Sequence, residues 1–127
     1  MTKETKKKIL VVDDEKDIVE LIKDYLQHKH SDYVVLSAQD GEDALKVAVK
    51  EKPNLITLDI MMANKDGYET CLLLRENDVT SDIPIIILTG RGTKQAQLAA
   101  QSFGADHYLS KPFQLDELDA VIHEYMK

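Results

Sequence analysis

Tryptophan is absent and cysteine occurs once, at Cys71. A lone thiol excludes an internal disulfide and suits a reducing compartment. Set among Leu72, Leu73 and Leu74, it reads as a packed core group rather than a nucleophile. Glycine (5) and proline (3) are scarce, and no stretch rich in Gly, Pro or Ser divides the chain. The 127 residues therefore read as one domain, residues 1–127, with a core from about residue 8 to residue 125. No apolar run approaches the roughly 18 residues of a membrane-spanning helix. Ile9 to Val12 is too short for a signal-peptide core, and Asp13 and Asp14 follow at once. The expected location is the cytoplasm, with no membrane partner. Basic charge is in deficit too: 16 Lys and Arg face 23 Asp and Glu, for a net charge of −7. Nucleic-acid binding rests on neutralising phosphates with Lys and Arg, so direct contact with nucleic acid is not expected. A divalent cation or a basic partner surface fits better. Lys6, Lys7 and Lys8 read as a solvated lead-in to the first strand. His28, His30, His107 and His123 show no metal-ligand pairing and read as structural or surface residues.

What is present is an alternation. Five short apolar runs (Ile9–Val12, Tyr33–Leu36, Leu55–Leu58, Ile83–Leu88 and the weaker His107–Leu109) are separated by stretches with apolar residues at helical spacing. The first such stretch carries Ile18, Leu21, Ile22, Tyr25 and Leu26; the last carries Leu115, Leu118, Val121, Ile122 and Tyr125. Pro53 should stop the second helix and Gly104 should cap the fourth. Strands that are apolar without alternation are buried on both faces, which predicts a parallel sheet between helical layers. The expected fold is a doubly wound α/β sandwich of five parallel strands. Periodicity leaves the strand order open.

Ligands of open α/β sheets bind at the carboxyl ends of the strands. Strand one ends in Asp13-Asp14, strand three in Asp59, strand four in Thr89-Gly90 and strand five in Ser110-Lys111-Pro112. Taken singly, Asp14 reads as a helix cap, Thr89 as a strand-end hydroxyl bonded to backbone, and Lys111 as solvated. Asp59 resists such a reading, because it ends an apolar run with no helix start beside it. Together the five define one edge with three carboxylates, a hydroxyl and an ammonium. Clustered carboxylates repel unless neutralised, and an oxygen-only ligand set calls for a hard cation such as Mg²⁺. Lys111 adds a charge that can meet a phosphoryl oxygen.

The ordered set Val11-Val12-Asp13-Asp14-Glu15, Leu58-Asp59-Ile60-Met61-Met62 with Asp66-Gly67, Ile87-Leu88-Thr89-Gly90, and Gly104-Ala105-Asp106 followed by Tyr108-Leu109-Ser110-Lys111-Pro112-Phe113 resembles the receiver domain of bacterial two-component response regulators. The resemblance runs from about Lys8 to Tyr125. It implies a flavodoxin-like (CheY-like) fold with strand order 2-1-3-4-5. It further implies that Asp59 is phosphorylated by a phosphohistidine of a sensor histidine kinase or histidine phosphotransfer protein. Asp13, Asp14, Asp59 and the backbone carbonyl of Met61 would ligate Mg²⁺, while Lys111 and Thr89 would contact the phosphoryl oxygens. Lys111-Pro112 resembles the cis peptide of the family. Thr89 and Tyr108 resemble its switch pair, which reshapes the surface of the fourth helix, fifth strand and fifth helix for a downstream protein target or a fused output domain. A homodimer through that surface is also within what the resemblance allows. Such a domain catalyses only its own phosphorylation and dephosphorylation.

The chain departs from the family in having Ala63 where proline is usual, four residues after the acceptor. Met61 offers no group to orient a hydrolytic water and Arg91 is not a general base, so loss of the phosphoryl group is expected to be slow. Other readings fit less well. An aspartate-nucleophile phosphatase would want a second Asp where Met61 stands, and a flavin site would meet repulsion from Asp13-Asp14-Glu15. A receiver-like interaction module that never uses phosphate is the alternative; such a module usually lacks an acidic residue or the lysine, and none is lost here. A stand-alone regulator and the receiver of a longer protein both remain open, the former slightly favoured.

Overall fold

The computed structural model describes residues 6–60, 67–90 and 94–126. Five strands alternate with five helices: β1 Lys7–Val12, α1 Lys16–Lys29, β2 Tyr33–Ala38, α2 Gly41–Glu51, β3 Leu55–Asp59, α3 Gly67–Glu76, β4 Ile85–Thr89, α4 Lys94–Ser102, β5 His107–Ser110 and α5 Leu115–Tyr125. All pairings are parallel, in the order β2-β1-β3-β4-β5. This is the doubly wound sandwich expected from the sequence, with the strand order that the resemblance implied.

The pleat sends alternate residues of each strand to opposite faces, and both faces are covered. On one, Ile9, Val11, Leu55, Ile86, Leu88 and Leu109 pack with α1 and α5 through Val19, Ile22, Leu26, Leu118 and Ile122. On the other, Leu10, Val12, Ile56, Leu58, Ile85 and Ile87 meet α2, α3 and α4 through Ala44, Ala48, Cys71, Leu74 and Ala100. Every residue of the central strands β3 and β4 is buried. The flanking strands β2 and β5 include partly and fully exposed positions.

Helix ends follow local chemistry. The Asp40 carboxylate accepts from Asp43 N at 2.8 Å and caps α2. That helix closes at Lys52, whose φ of 50° turns the chain just ahead of Pro53. Gly104, at φ 98°, takes up the left-handed conformation after α4 that glycine tolerates best. A Cβ there would also stand 2.8 Å from Cγ of Arg75.

Three expectations need correction. β1 begins at Lys7, and Lys7 and Lys8 are half-buried rather than a solvated lead-in. Their ammonium groups reach the C-terminal ends of α5 and α2, at Met126 O (3.2 Å) and Glu51 O (3.3 Å), where helix dipoles favour cations. Leu21, on the apolar stripe of α1 by spacing, is 54% exposed, while Val19 is buried in its place. β4 starts after Pro84, two residues later than its apolar run.

Two polar junctions were not apparent in the sequence. Arg75 donates to the carbonyls of Gly104 (2.8 Å), Ser81 (3.1 Å) and Ile83 (2.7 Å) and pairs with Asp106 at 2.7 Å. His30 Nε2 lies 2.7 Å from the buried Asp119 carboxylate and ties the end of α1 to α5. Among the described residues, no helix is long and apolar enough to cross a membrane.

Candidate functional site

Register brings the strand ends level. Val12 pairs with Leu58, Asp59 with Leu88, and Thr89 with Ser110. The residues that follow therefore gather along the carboxyl edge of β1, β3, β4 and β5. The carboxylates of Asp13, Asp14 and Asp59 each place an oxygen within 4.8 Å of the others. Asp13 and Asp59 are 2% and 3% exposed, whereas Asp14 is open to solvent. Asp14 does not cap α1: Glu15 holds the N-cap position without a side-chain cap bond. Asp13 makes the local turn instead, its Oδ1 accepting from Glu15 N at 2.9 Å. That bond fixes the Asp13 carboxyl and leaves its other oxygen facing the cluster.

Lys111 arrives from the end of β5. Its backbone N donates to Thr89 O at 2.6 Å, which locks the loop to β4, and the Lys111-Pro112 peptide is cis as the resemblance implied. The ammonium lies 3.4 Å from Asp13 Oδ2 and 3.5 Å from Asp59 Oδ2. Burial by itself would lower the pKa of this ammonium. The charges and hydrogen bonds of Asp13 and Asp59 outweigh that influence, and the net direction is upward. Lys111 therefore stays cationic. One ammonium against three carboxylates still leaves the cluster electronegative, and its oxygen-only donors match a hard divalent ion. Thr89 is fully buried beside the cluster at the end of β4. Tyr108, one strand outward, is half-buried against the core of the α2, α3 and α4 face. Met61, Met62, Ala63, Asp66 and Arg91 lie outside the described residues.

Sequence reasoning missed two features of this edge. Gly67 opens α3 directly against the acceptor strand, its N donating to Ile60 O at 3.0 Å. Beside Lys111, an apolar concavity of about 370 Å³ is lined by Ile18, Leu21, Ile22, Pro112, Phe113 and Leu115. Its signal was the exposed Leu21, which periodicity alone had assigned to the core.

A five-stranded doubly wound sheet with an acidic, lysine-bridged carboxyl edge defines a class of phosphoryl-handling signalling domains. Within that class the chain belongs to the response regulator receiver domain family, whose sequence model matches residues 9–123. It is therefore a receiver domain of two-component response regulators. It is 42% identical over 121 residues to the alkaline phosphatase synthesis transcriptional regulatory protein PhoP of Bacillus subtilis, covering 95% of this chain and 49% of that protein. The chain thus spans about half the length of the curated relatives it matches. Among solved structures, the chemotaxis protein CheY4 of Vibrio cholerae superposes with a TM-score of 0.88 at 28% identity, over 94% of this chain and 98% of that one. The BeF3-activated DrrB receiver domain gives 0.84 at 30% identity, over 95% and 97%.

Proposed function

We propose that residues 1–127 form a single receiver unit in which Asp59 accepts a phosphoryl group from a phosphohistidine of a sensor histidine kinase or histidine phosphotransfer protein. The reading is carried by one observation: three carboxylates within 4.8 Å of one another, two of them bridged by Lys111. An oxygen of Asp59 attacks phosphorus, the P–N bond of the donor breaks with its electron pair returning to the imidazole, and an acyl phosphate forms. A carboxylate is an accepted nucleophile for such transfer. Asp13, Asp14, Asp59 and the carbonyl of Met61 would hold Mg²⁺, which supplies positive charge against the phosphoryl oxygens. Lys111 orients and neutralises a phosphoryl oxygen, and the Thr89 hydroxyl donates to another. Phosphoryl transfer depends mainly on such positioning and charge. The domain turns over only its own phosphoryl group.

Thr89 and Tyr108 are the switch pair in this reading. Thr89 moves toward the phosphoryl group, Tyr108 follows inward, and the α4-β5-α5 surface changes shape. The size of that response is limited by how differently the phosphoryl group interacts with the two states. The surface serves a downstream protein, a fused output domain or a second copy of the domain, in the cytoplasm. The apolar concavity beside Lys111 supports donor docking, because a partner helix seated there brings its phosphohistidine to the acceptor edge.

Incubation with acetyl phosphate and Mg²⁺ tests the acceptor directly. The expected result is a mass gain of about 80 Da that is absent from Asp59→Asn. Wild-type protein that gains no mass is instead a phosphate-independent interaction module.

A further inference from the structure

Two consecutive residues of α3 stand between the acceptor strand and α4. Gly67 packs on the backbone of Asp59 and Ile60, donating to Ile60 O. The hydroxyl of the next residue, Tyr68, donates to Ala96 O in the first turn of α4 at 3.2 Å. Its ring lies against that of Phe103, with centroids 5.2 Å apart. Among the described residues, α4 buries little apolar surface. Its buried residues are Ala96 and Ala100, whose small side chains bury little apolar area, and Leu98 is 55% exposed. Beyond its C-terminal end the chain is fixed more firmly, by the Arg75 guanidinium on Gly104 O. Charge-assisted bonds of that kind are roughly twice as strong as neutral ones.

We propose that Tyr68 is a positioning residue that couples the end of β3 to α4, its hydroxyl holding the first turn of α4 while the Arg75–Gly104 junction serves as the fixed end about which the helix pivots. The inference rests on Asp59 being the acceptor. It adds a route from acceptor to α4 that does not pass through Thr89 and Tyr108. The route is short: any displacement of the Asp59–Ile60 backbone meets Gly67, and Gly67 cannot move without Tyr68. Reciprocity follows, since an acceptor that biases α4 must itself be biased by α4, by the same factor.

Tyr68→Phe removes one oxygen and keeps the ring against Phe103, so the fold is retained. Hydrogen exchange of residues 94–102 and beryllofluoride affinity in Mg²⁺ (by ¹⁹F NMR titration) are measured in both proteins. A neutral hydrogen bond predicts exchange in α4 faster on the order of threefold to tenfold, with β1, β3 and α1 unchanged. Beryllofluoride affinity should shift by a comparable factor. Unchanged exchange in α4 overturns the proposal, as does faster exchange spread evenly over the domain. Looser α4 with unaltered beryllofluoride affinity also overturns it, because the bond is then structural without coupling. Wild-type protein that takes up no beryllofluoride removes the acceptor reading itself, an outcome distinct from a failure confined to the variant.

Discussion

Gly67 stands so close to Asp59 that a Cβ on it would lie 2.7 Å from the Asp59 carbonyl oxygen and 2.5 Å from Cα of Ile60. Both neighbours are backbone and cannot swing aside. Gly67→Ala must therefore push α3 away from β3 or displace the acceptor. Overpacking of this kind costs about 1 to 3 kcal/mol. The expected outcome is a lower urea midpoint together with slower phosphorylation of Asp59 by acetyl phosphate. Normal rates in a destabilised variant would show that α3 yields and the acceptor stays in place.

Thr57 is fully buried, and its Oγ1 has no hydrogen-bond partner among the described residues. It sits on β3 between Val11 of β1 and Ile86 of β4, on the same strand face as Asp59. An unsatisfied buried hydroxyl costs about 1 to 3 kcal/mol of desolvation. Thr57→Val keeps the β-branched shape and removes the hydroxyl, so it should stabilise the fold by about 1 kcal/mol, read as a higher urea midpoint at unchanged m. A variant no more stable than wild type would mean that the hydroxyl has found a partner such as an internal water.

These two residues mark what the sequence could and could not reveal. Asp13, Asp59, Thr89 and Lys111 were legible because each ends or follows an apolar run, and the edge of a parallel sheet collects such residues whatever the loops do. The five strands were legible for a related reason: burial on both faces leaves continuous apolar runs. Register and strand order carry no periodic signature, and the order came from resemblance. Polar junctions between distant positions were hidden as well. Arg75 and Asp106, or His30 and Asp119, are ordinary charged residues until folding places them together. Leu21 failed for a geometric reason, since the apolar stripe of α1 is wider than the face the sheet covers. Gly67 stands out in the sequence only as part of a motif, because a close backbone approach is invisible until both segments are in place.

Cys71 gives alkaline stability a definite sign. Burial pushes its thiol up from 9.0 to about 11, with Arg75 lowering it and Asp106 raising it to lesser degrees. A thiol is neutral when protonated. Above pH 9 the unfolded chain releases this proton while the folded one retains it, so stability falls from there until about pH 11 and then levels off. Cys71→Ala leaves a small cavity and should be less stable at neutral pH. Its further loss between pH 9 and 11 should be smaller than that of wild type, measured by urea titration at each pH. Parallel curves for the two proteins would argue against a perturbed thiol.

The carboxylate cluster predicts opposite responses to one substitution with and without metal. Asp14 is exposed and makes no ion pair with Lys111, so in metal-free protein it mainly repels Asp13 and Asp59. Asp14→Asn should relieve that repulsion and raise the melting temperature by roughly 2 to 4 °C, the effect of an exposed charge interaction worth up to about 1 kcal/mol. Wild-type protein should gain stability as Mg²⁺ is added, because a ligand bound only by the folded state stabilises it. Asp14→Asn should lose most of that gain. A variant that is destabilised without metal, or that keeps the full response, would place the ion elsewhere.

Leu21 separates donor docking from acceptor chemistry. It lies on α1 at the apolar concavity beside Lys111, 54% exposed, with Phe113 and Leu115 across the groove. It is not itself one of the residues proposed to handle the phosphoryl group, although Lys111 lines the same concavity. A glutamate at this position would bury an unpaired charge in the interface, a costly arrangement, so Leu21→Glu should slow transfer from a phosphohistidine protein donor on the order of tenfold or more. Labelling by acetyl phosphate needs no docking and should proceed at the wild-type rate. Leu98→Glu, equally exposed but on α4 across the sheet, is the control for added charge and should leave both rates alone. Equal slowing with both donors would mean that Leu21 supports the site rather than the partner, and equal slowing by Leu98→Glu would move the docking surface to α4.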